Sequence, residues 1–281
     1  MKNSFCLRTV ENNEISCSAF GKPDESDDIV ILVHGFKGFK DWGFFPYLGE
    51  RIAQRRGFSA ISLNFSHNGI GNDPLTFSEP EKFAKNTISL ELSELRQLIN
   101  YCSETYSTNK GKRIHLLGHS RGAGVAILAA NRERVITSAV LWAPVMTFMR
   151  WTRRQTTSWR KEGYMEVVNS RTGQVMQMDI PFLEDVEKNR ESFDILKAAK
   201  EFSRPLAIIH GENDLAVKPS EGLEIFKSAN PDMTEIHLIE RTGHTFDVVH
   251  PMTETNEKLE KIIKLTVDFF EKIAKGTKND N

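Results

Sequence analysis

A serine bracketed by two glycines is the residue of this sequence best placed to do chemistry. Ser120 lies at the centre of a Gly-x-Ser-x-Gly motif that spans residues 118–122. Aliphatic residues before it predict a short buried strand, and small apolar residues after it predict a helix over 122–130. On such a sharp strand-to-helix turn the backbone is strained, so the flanking positions have to be small. Because the helix N-terminus can also stabilise an oxyanion, the motif predicts a nucleophilic serine.

A nucleophilic serine needs a base, and the base needs a carboxylate to orient it. Asp214 lies in the loop after a strand predicted at 206–210, and His244 lies in the loop after a strand predicted at 235–239. Parallel strands of an open α/β sheet bring their carboxyl ends to one edge, where ligands bind. The chain order and the strand-end positions therefore predict the triad Ser120–Asp214–His244.

Each partner of the serine has alternatives nearby in the sequence. Glu212 could serve as the acid, but it directly follows the strand-end glycine, whereas Asp214 lies farther into the loop. His119 adjoins the nucleophile, and the tight turn should point its side chain away from it. His210 ends a strand and is predicted to be buried for structural reasons. His250 precedes a proline and is predicted to lead into the last helix.

The oxyanion hole is predicted from backbone amides. One donor is the N–H of Arg121, the residue after the nucleophile. The second comes from the His-Gly-Phe loop at 34–36, which follows a strand predicted at 29–33, and Phe36 is the expected donor. Since only its amide is needed, the Phe36 side chain is free to line the acyl pocket.

Composition limits the classes of function. The chain has 281 residues, enough for one large α/β domain or two small ones, and its formal net charge is −1. The near-neutral charge gives no electrostatic case for a nucleic-acid partner. Three widely spaced cysteines indicate reduced thiols, with no disulfide framework and no zinc pattern. The sequence therefore predicts no metal and no organic cofactor.

The sequence also predicts a cytoplasmic protein. Its first residues lack the apolar stretch of a signal peptide, and no apolar run reaches the length of a membrane span. The sequence is compatible with a homodimer.

Alternating strands and helices predict a mostly parallel sheet covered on both faces. The predicted strands are 5–10, 15–20, 29–33, 59–65, 114–117, 135–142, 206–210 and 235–239, and the predicted helices are 45–56, 87–106, 122–130, 219–228 and 254–274, with a frayed tail at 276–281. The alternation stops between residues 145 and 203, where a hairpin is predicted around 170–173. We therefore predict an α/β core formed by residues 1–144 and 204–281, interrupted by a lid at 145–203.

These motifs together resemble the α/β-hydrolase superfamily. The chain is similar to single-domain serine esterases with a His-Gly-Phe oxyanion loop, including cinnamoyl and feruloyl esterases and relatives of dienelactone hydrolases and serine aminopeptidases. Serine at position 120 separates it from dienelactone hydrolases proper, whose nucleophile is cysteine, and from dehalogenases and epoxide hydrolases, which use aspartate. Where many relatives read Asp-x-Arg-Gly-His-Gly, residues 64–71 read Asn-Phe-Ser-His-Asn-Gly-Ile-Gly, so substrate preference does not transfer directly.

Aromatic and basic side chains surround the predicted site. All four tryptophans fall at predicted active-site elements, where they either pack the core or contact substrate: Trp42, Trp142, Trp151 and Trp159. With the neighbouring phenylalanines they favour an apolar or aromatic acyl group. The predicted lid also carries basic residues, which either face solvent or attract anionic substrates or a membrane surface: Arg150, Arg153, Arg154, Arg160 and Lys161.

The resemblance implies a serine hydrolase that cleaves carboxylic esters through an acyl-enzyme. An apolar or aromatic acyl group of short to medium length is the expected substrate. Two alternatives stay open at this point. One is a peptidase or amidase of the serine aminopeptidase kind, and the other is a binding protein that has lost catalysis on the same fold.

Overall fold

Eight strands form one sheet in the computed structural model, which describes residues 2–71, 73, 76–106, 111–169 and 172–279. They are β1 (Lys2–Arg8), β2 (Glu14–Phe20), β3 (Asp28–Val33), β4 (Phe58–Asn64), β5 (Arg113–His119), β6 (Ile136–Trp142), β9 (Leu206–Gly211) and β10 (Thr234–Ile239). Their order across the sheet is β1-β2-β4-β3-β5-β6-β9-β10. The β1–β2 and β2–β4 pairs are antiparallel and the other five pairs are parallel. The predicted mostly parallel sheet is confirmed.

Helices cover both faces of this sheet. Those of the core are α1 (Phe45–Ala53), α2 (Pro80–Ala84), α3 (Ile88–Thr105), α4 (Arg121–Arg132), α8 (Pro219–Ser228) and α9 (Glu257–Asn279). Alternate residues of the central strand β3 belong to two different hydrophobic clusters, Ile29 and Ile31 to one and Val30 and Leu32 to the other. The first cluster includes side chains from α3, α4 and α8, and the second includes side chains from α1 and α9. A strand buried on both faces explains the unbroken aliphatic run in the sequence.

The structure moves several predicted boundaries. The first strand ends at Arg8 instead of residue 10, because the chain turns where the Thr9 N–H donates to the Asn13 carbonyl over 2.8 Å. Helix α2 was not predicted. Helix α9 begins later than predicted and continues to Asn279, since one glycine at 276 costs a helix only about 1 kcal/mol. Of the predicted frayed tail, residues 280 and 281 lie outside the described part of the chain.

Residues 145–203, here called the inserted segment, lie between β6 and β9. They form α5 (Arg153–Glu162), β7 (Tyr164–Val168), β8 (Val175–Asp179), α6 (Ile180–Lys188) and α7 (Ile195–Glu201). Strands β7 and β8 pair with each other in a separate two-stranded antiparallel sheet. They flank the hairpin predicted at 170–173, of which residues 170 and 171 lie outside the described residues. Helix α7 packs against α4 and α8 and so fastens the segment to the core.

Two further observations concern the whole of the described chain. No helix within these residues is long and apolar enough to cross a bilayer. The three cysteines, Cys6, Cys17 and Cys102, are free thiols.

Candidate active site

Ser120 lies on a strained turn between β5 and α4. Its backbone has φ 57° and ψ −122°, values that a residue with a side chain rarely adopts and that cost about 1–3 kcal/mol. A Cβ atom on Gly118 would lie 2.4 Å from the carbonyl oxygen of Gly122, and one on Gly122 would lie 2.3 Å from that of His34. The spacing of the motif thus follows from backbone segments that approach too closely for any other residue.

The structure brings together the three side chains that the sequence predicts to act as a unit. His244 Nε2 lies 2.9 Å from Ser120 Oγ, and His244 Nδ1 lies 2.7 Å from Asp214 Oδ2. Asp214 follows β9 and His244 follows β10, so the parallel strands deliver both to the edge where β5 ends at the serine. In this arrangement the Nδ1–H group donates to the carboxylate, which leaves Nε2 to accept the serine proton.

Asp214 is held in its ionised form. Burial opposes ionisation, but hydrogen bonds from His210 and His244 outweigh burial and hold the pKa of Asp214 well below its usual range. Its Oδ1 atom also accepts the backbone N–H groups of Ala216 and Val217, both over 2.9 Å. His210 is fully buried, and its Nε2–H group donates to the Val217 carbonyl over 3.0 Å and lies 3.3 Å from Asp214 Oδ2. His210 is therefore buried as predicted, but it also contacts the acid.

The alternative residues occupy other positions around the serine. Glu212 is exposed, and no hydrogen bond to its carboxylate is found among the described residues. His119 is buried and donates from Nε2 to the backbone carbonyl of His244 over 3.0 Å, and burial lowers the pKa of His119 to about 3. The expectation for His250 was wrong: it lines the cavity beside the serine, and its Nδ1 accepts the Gly43 N–H over 3.0 Å. Helix α9 begins only at residue 257.

The loop at 34–36 lies directly against the nucleophile. A Cβ atom on Gly35 would lie 2.9 Å from Ser120 Cβ and 2.9 Å from the His119 carbonyl oxygen. In the described part of the chain, neither the Phe36 N–H nor the Arg121 N–H donates to a backbone or side-chain acceptor. Two unoccupied amide donors next to a serine are the arrangement that an oxyanion requires.

Ser120 opens into a cavity of about 700 Å³. Among the described residues, eight aromatic side chains from the core and from the inserted segment line its wall: Phe36, Phe39, Trp42, Phe45, Phe77, Phe148, Trp151 and Phe182. His119, His244 and Thr245 add polar groups near the serine. A mostly apolar cavity with a few convergent polar groups is typical of a small-molecule site.

The four tryptophans fall into two pairs. Trp42 and Trp151 line the cavity, whereas Trp142 and Trp159 do not. Trp142 is fully buried below the site, where its indole N–H donates to the Thr266 hydroxyl over 3.0 Å. Trp159 is 1% exposed and packs inside the inserted segment, with its ring 5.0 Å from that of Trp151. The structure therefore removes Trp142 and Trp159 from the predicted substrate contacts.

The same fold occurs in known proteins. Residues 30–258 match the alpha/beta hydrolase family. The chain belongs to this family. A mostly parallel sheet with a serine turn after β5 agrees with that membership.

Solved structures similar to this hydrolase include several esterases. Est1E from Butyrivibrio proteoclasticus has a TM-score of 0.68 and 14% identity, with 96% of this chain and 98% of that chain covered. Esterase Pf2001 from Pyrococcus furiosus has a TM-score of 0.63 and 18% identity, with 97% and 90% covered. At these identities the similarity shows the fold alone.

One curated relative is similar in sequence. The monoglyceride lipase homolog of Monkeypox virus is 28% identical over 142 residues, which are 50% of this chain and 47% of that protein. The chain thus matches about half the length of this relative. Esterase and lipase names among its relatives are consistent with a hydrolase.

The Arg121 side chain forms a buried ion pair and also contacts both the loop at 34–36 and the inserted segment. The Arg121 guanidinium lies 2.5 Å from Glu91, which also accepts the Asn86 amide over 2.8 Å. The same guanidinium stacks over the Phe36 ring at 4.6 Å and over the Phe182 ring at 5.5 Å. Phe36 belongs to the loop at 34–36 and Phe182 to α6. Arg121 therefore holds the loop and the inserted segment in one arrangement.

Replacing Glu91 with alanine should destabilise the hydrolase strongly. The variant leaves the Arg121 guanidinium buried without a counter-charge, which costs about 3–5 kcal/mol in comparable proteins. Urea denaturation measures the change in the free energy of unfolding. Glu187→Ala is the matched control, because the Arg160–Glu187 pair is exposed and is worth about 0–1 kcal/mol. Equal effects of the two variants would contradict the importance of the buried pair.

Most basic residues of the inserted segment face away from the site. Arg150 lines the cavity, but its guanidinium pairs with the Glu221 carboxylate at 2.7 Å. The others do not line it, and they are exposed or pair with surface carboxylates: Arg153, Arg154, Arg160 and Lys161. Within the described residues, His, Cys, Asp and Glu side chains form no group of three arranged to bind a metal ion.

Proposed function

We propose that this hydrolase cleaves carboxylic esters through an acyl-enzyme on Ser120. The observation that carries the proposal is the continuous hydrogen-bond chain from Ser120 Oγ through His244 to Asp214, at one wall of an aromatic cavity. Asp214, ionised and held by backbone amides, orients the imidazole. The amides of Phe36 and Arg121 form the oxyanion hole.

The reaction proceeds in two steps, acylation of Ser120 and hydrolysis of the acyl-enzyme, and His244 gains and returns one proton in each. Ser120 Oγ attacks the ester carbonyl while its proton moves to His244 Nε2, and the carbonyl oxygen becomes an oxyanion held by the two amides. The tetrahedral intermediate collapses, and the alkoxide leaves with the proton from His244. Water then attacks the acyl-enzyme, giving its proton to His244, which returns it to Ser120 as the acid is released.

The charges around the cavity favour an ester over an aminopeptidase substrate. Among its described lining residues there is no Asp or Glu, whereas Lys37, Arg121 and Arg150 all lie in its wall. A free α-ammonium group would need a carboxylate to bind it, and it would be repelled by Lys37, since Arg121 and Arg150 are each paired with a carboxylate. The absence of a carboxylate among the described lining residues therefore supports ester hydrolysis over the amidase alternative.

We propose further that the inserted segment acts as a lid that selects apolar or aromatic acyl groups of short to medium length. It contributes Phe148, Trp151 and Phe182 to the cavity wall. Aromatic rings bury much apolar area at little conformational cost and stack on flat groups. The esterase and lipase names of the relatives support ester hydrolysis.

Replacing Trp151 with alanine should change acyl preference. The change in kcat/KM between an aryl and a short aliphatic acyl group should correspond to about 1–3 kcal/mol, the usual size of a pocket contact. Trp159→Ala is the matched control: Trp159 does not line the cavity, so this variant should keep the substrate ranking and lower the free energy of unfolding by about 3–5 kcal/mol. An unchanged ranking in Trp151→Ala would assign Trp151 to anchoring the segment.

Fluorophosphonate labelling tests the proposed function directly. The reagent should label Ser120 in the wild type, and a panel of aryl esters, alkyl esters and peptide anilides should show ester cleavage. No labelling would favour the non-catalytic binding protein, and preferential cleavage of anilides would favour the amidase.

The free thiols further support a reducing compartment, in line with a cytoplasmic location.

A further inference from the structure

Lys37 follows the proposed oxyanion donor Phe36 and lies in the cavity wall. It has φ 58°, the left-handed conformation that glycine adopts at least cost. The left-handed conformation therefore costs energy for lysine. Glycine occupies positions 35 and 38 of the same loop but not position 37. Residues with strained backbone conformations cluster at active sites and ligand clamps.

The Lys37 ammonium group has no carboxylate partner among the described residues. Its Nζ atom donates to the Val168 carbonyl over 3.0 Å and lies 5.7 Å from the Phe36 ring centroid. The side chain is half-buried, and burial lowers the pKa of Lys37. A half-buried charge without a counter-ion is costly unless another group compensates for it.

The other cations of the cavity wall are already neutralised. Arg121 pairs with Glu91 at 2.5 Å, and Arg150 pairs with Glu221 at 2.7 Å. Since no Asp or Glu among the described residues lines the cavity, a carboxylate that pairs with Lys37 there would come from a ligand.

We propose that Lys37 forms a subsite for a carboxylate carried by the substrate at a distance from the ester bond that is cleaved. The proposal rests on the proposed ester hydrolysis and narrows its substrate class to esters with an anionic end. The carboxylate belongs either to the acyl group or to the alcohol group. In both cases the ammonium exchanges its bond to the Val168 carbonyl for a stronger charge-assisted one.

Two pairs of esters test this subsite, and the two members of each pair have nearly equal shapes. The pairs also distinguish a carboxylate on the acyl group from one on the alcohol group. Phenyl 4-carboxycinnamate and phenyl 4-carbamoylcinnamate differ in charge on the acyl side, and 4-carboxyphenyl cinnamate and 4-carbamoylphenyl cinnamate differ on the alcohol side. In the wild type, kcat/KM should be about tenfold or more higher for the carboxylate member of one pair, as expected for a charged hydrogen bond. The pair that shows the preference identifies the source.

Variants of Lys37 locate the preference. Lys37→Met should reduce the carboxylate-to-carboxamide ratio about tenfold, and Lys37→Gly should do the same with a backbone suited to φ 58°. Lys37→Arg should retain most of the ratio. Lys188→Met, which removes an exposed lysine of the inserted segment, is the matched control and should leave the ratio unchanged.

The outcomes separate this inference from the proposed function. Cleavage of both carboxamide esters with no carboxylate preference in either pair would overturn the subsite and keep the esterase. A carboxylate preference that survives in Lys37→Met and Lys37→Gly would also overturn it. If no ester is cleaved, calorimetry on Ser120→Ala decides: the carboxylate ester of one pair should bind about tenfold more weakly when Lys37→Met is added, and equal binding would overturn the subsite.

Discussion

Replacing Ser120 with alanine should abolish acyl-enzyme formation and lower kcat by about 10⁴-fold or more. The reason is chemical, because alanine has no oxygen to attack the carbonyl and His244 then has no proton to accept. Alanine fits the turn as serine does, since the close contacts at this turn involve Gly118 and Gly122. Steady-state kinetics on an aryl ester and labelling with a fluorophosphonate measure both effects.

The matched control for this variant is Ser158→Ala, which removes an exposed hydroxyl group from α5. It should label and turn over like the wild type, and both variants should show the circular dichroism of the folded protein. Retention of more than a few per cent of wild-type activity in Ser120→Ala would assign the nucleophile to another residue.

Replacing Asp214 with asparagine should lower kcat by up to about 10⁴-fold. Oδ1 accepts the N–H groups of Ala216 and Val217, so the amide oxygen of asparagine has to occupy that position. The amide NH₂ then faces His244 Nδ1, which becomes an acceptor and leaves the proton on Nε2. In this tautomer His244 cannot take the proton of Ser120.

Glu212→Gln is the matched control for the acid. Glu212 is exposed and lies two residues before Asp214, so Glu212→Gln should lower kcat only slightly. The pH dependence of kcat/KM for both variants measures the effect. A larger loss in Glu212→Gln than in Asp214→Asn would transfer the role of the acid to Glu212.

The sequence by itself determined the class of fold and the positions of the three residues proposed for catalysis. Alternation of buried strands with amphipathic helices predicts a parallel sheet, because parallel strands need long crossover connections, which are usually helices. Parallel strands end at one edge, so Ser120, Asp214 and His244 could be placed together from chain order alone. The structure places them within hydrogen-bond distance, and their catalytic roles stay a proposal.

Only the tertiary structure decided which side chains reach the cavity. Trp42 and Trp151 line it, whereas Trp142 packs below the sheet edge and Trp159 packs inside the inserted segment. The sequence treats these four residues alike, since an aromatic residue has the same local signal in a core and in a pocket. The direction of each side chain depends on long-range packing that periodicity does not record.

The electrostatic partners of the site were likewise decided by tertiary contacts. Glu91 lies 30 residues before Arg121, and Val168 lies 131 residues after Lys37, so no local pattern joins them. A helical Glu and a loop Lys each have the ordinary signal of a solvated surface residue. Burial against the inserted segment and the loop at 34–36 changes the energetics of these two side chains, because a charge that leaves water needs a partner. That need is met within the chain for Arg121, and for Lys37 we propose that the substrate meets it.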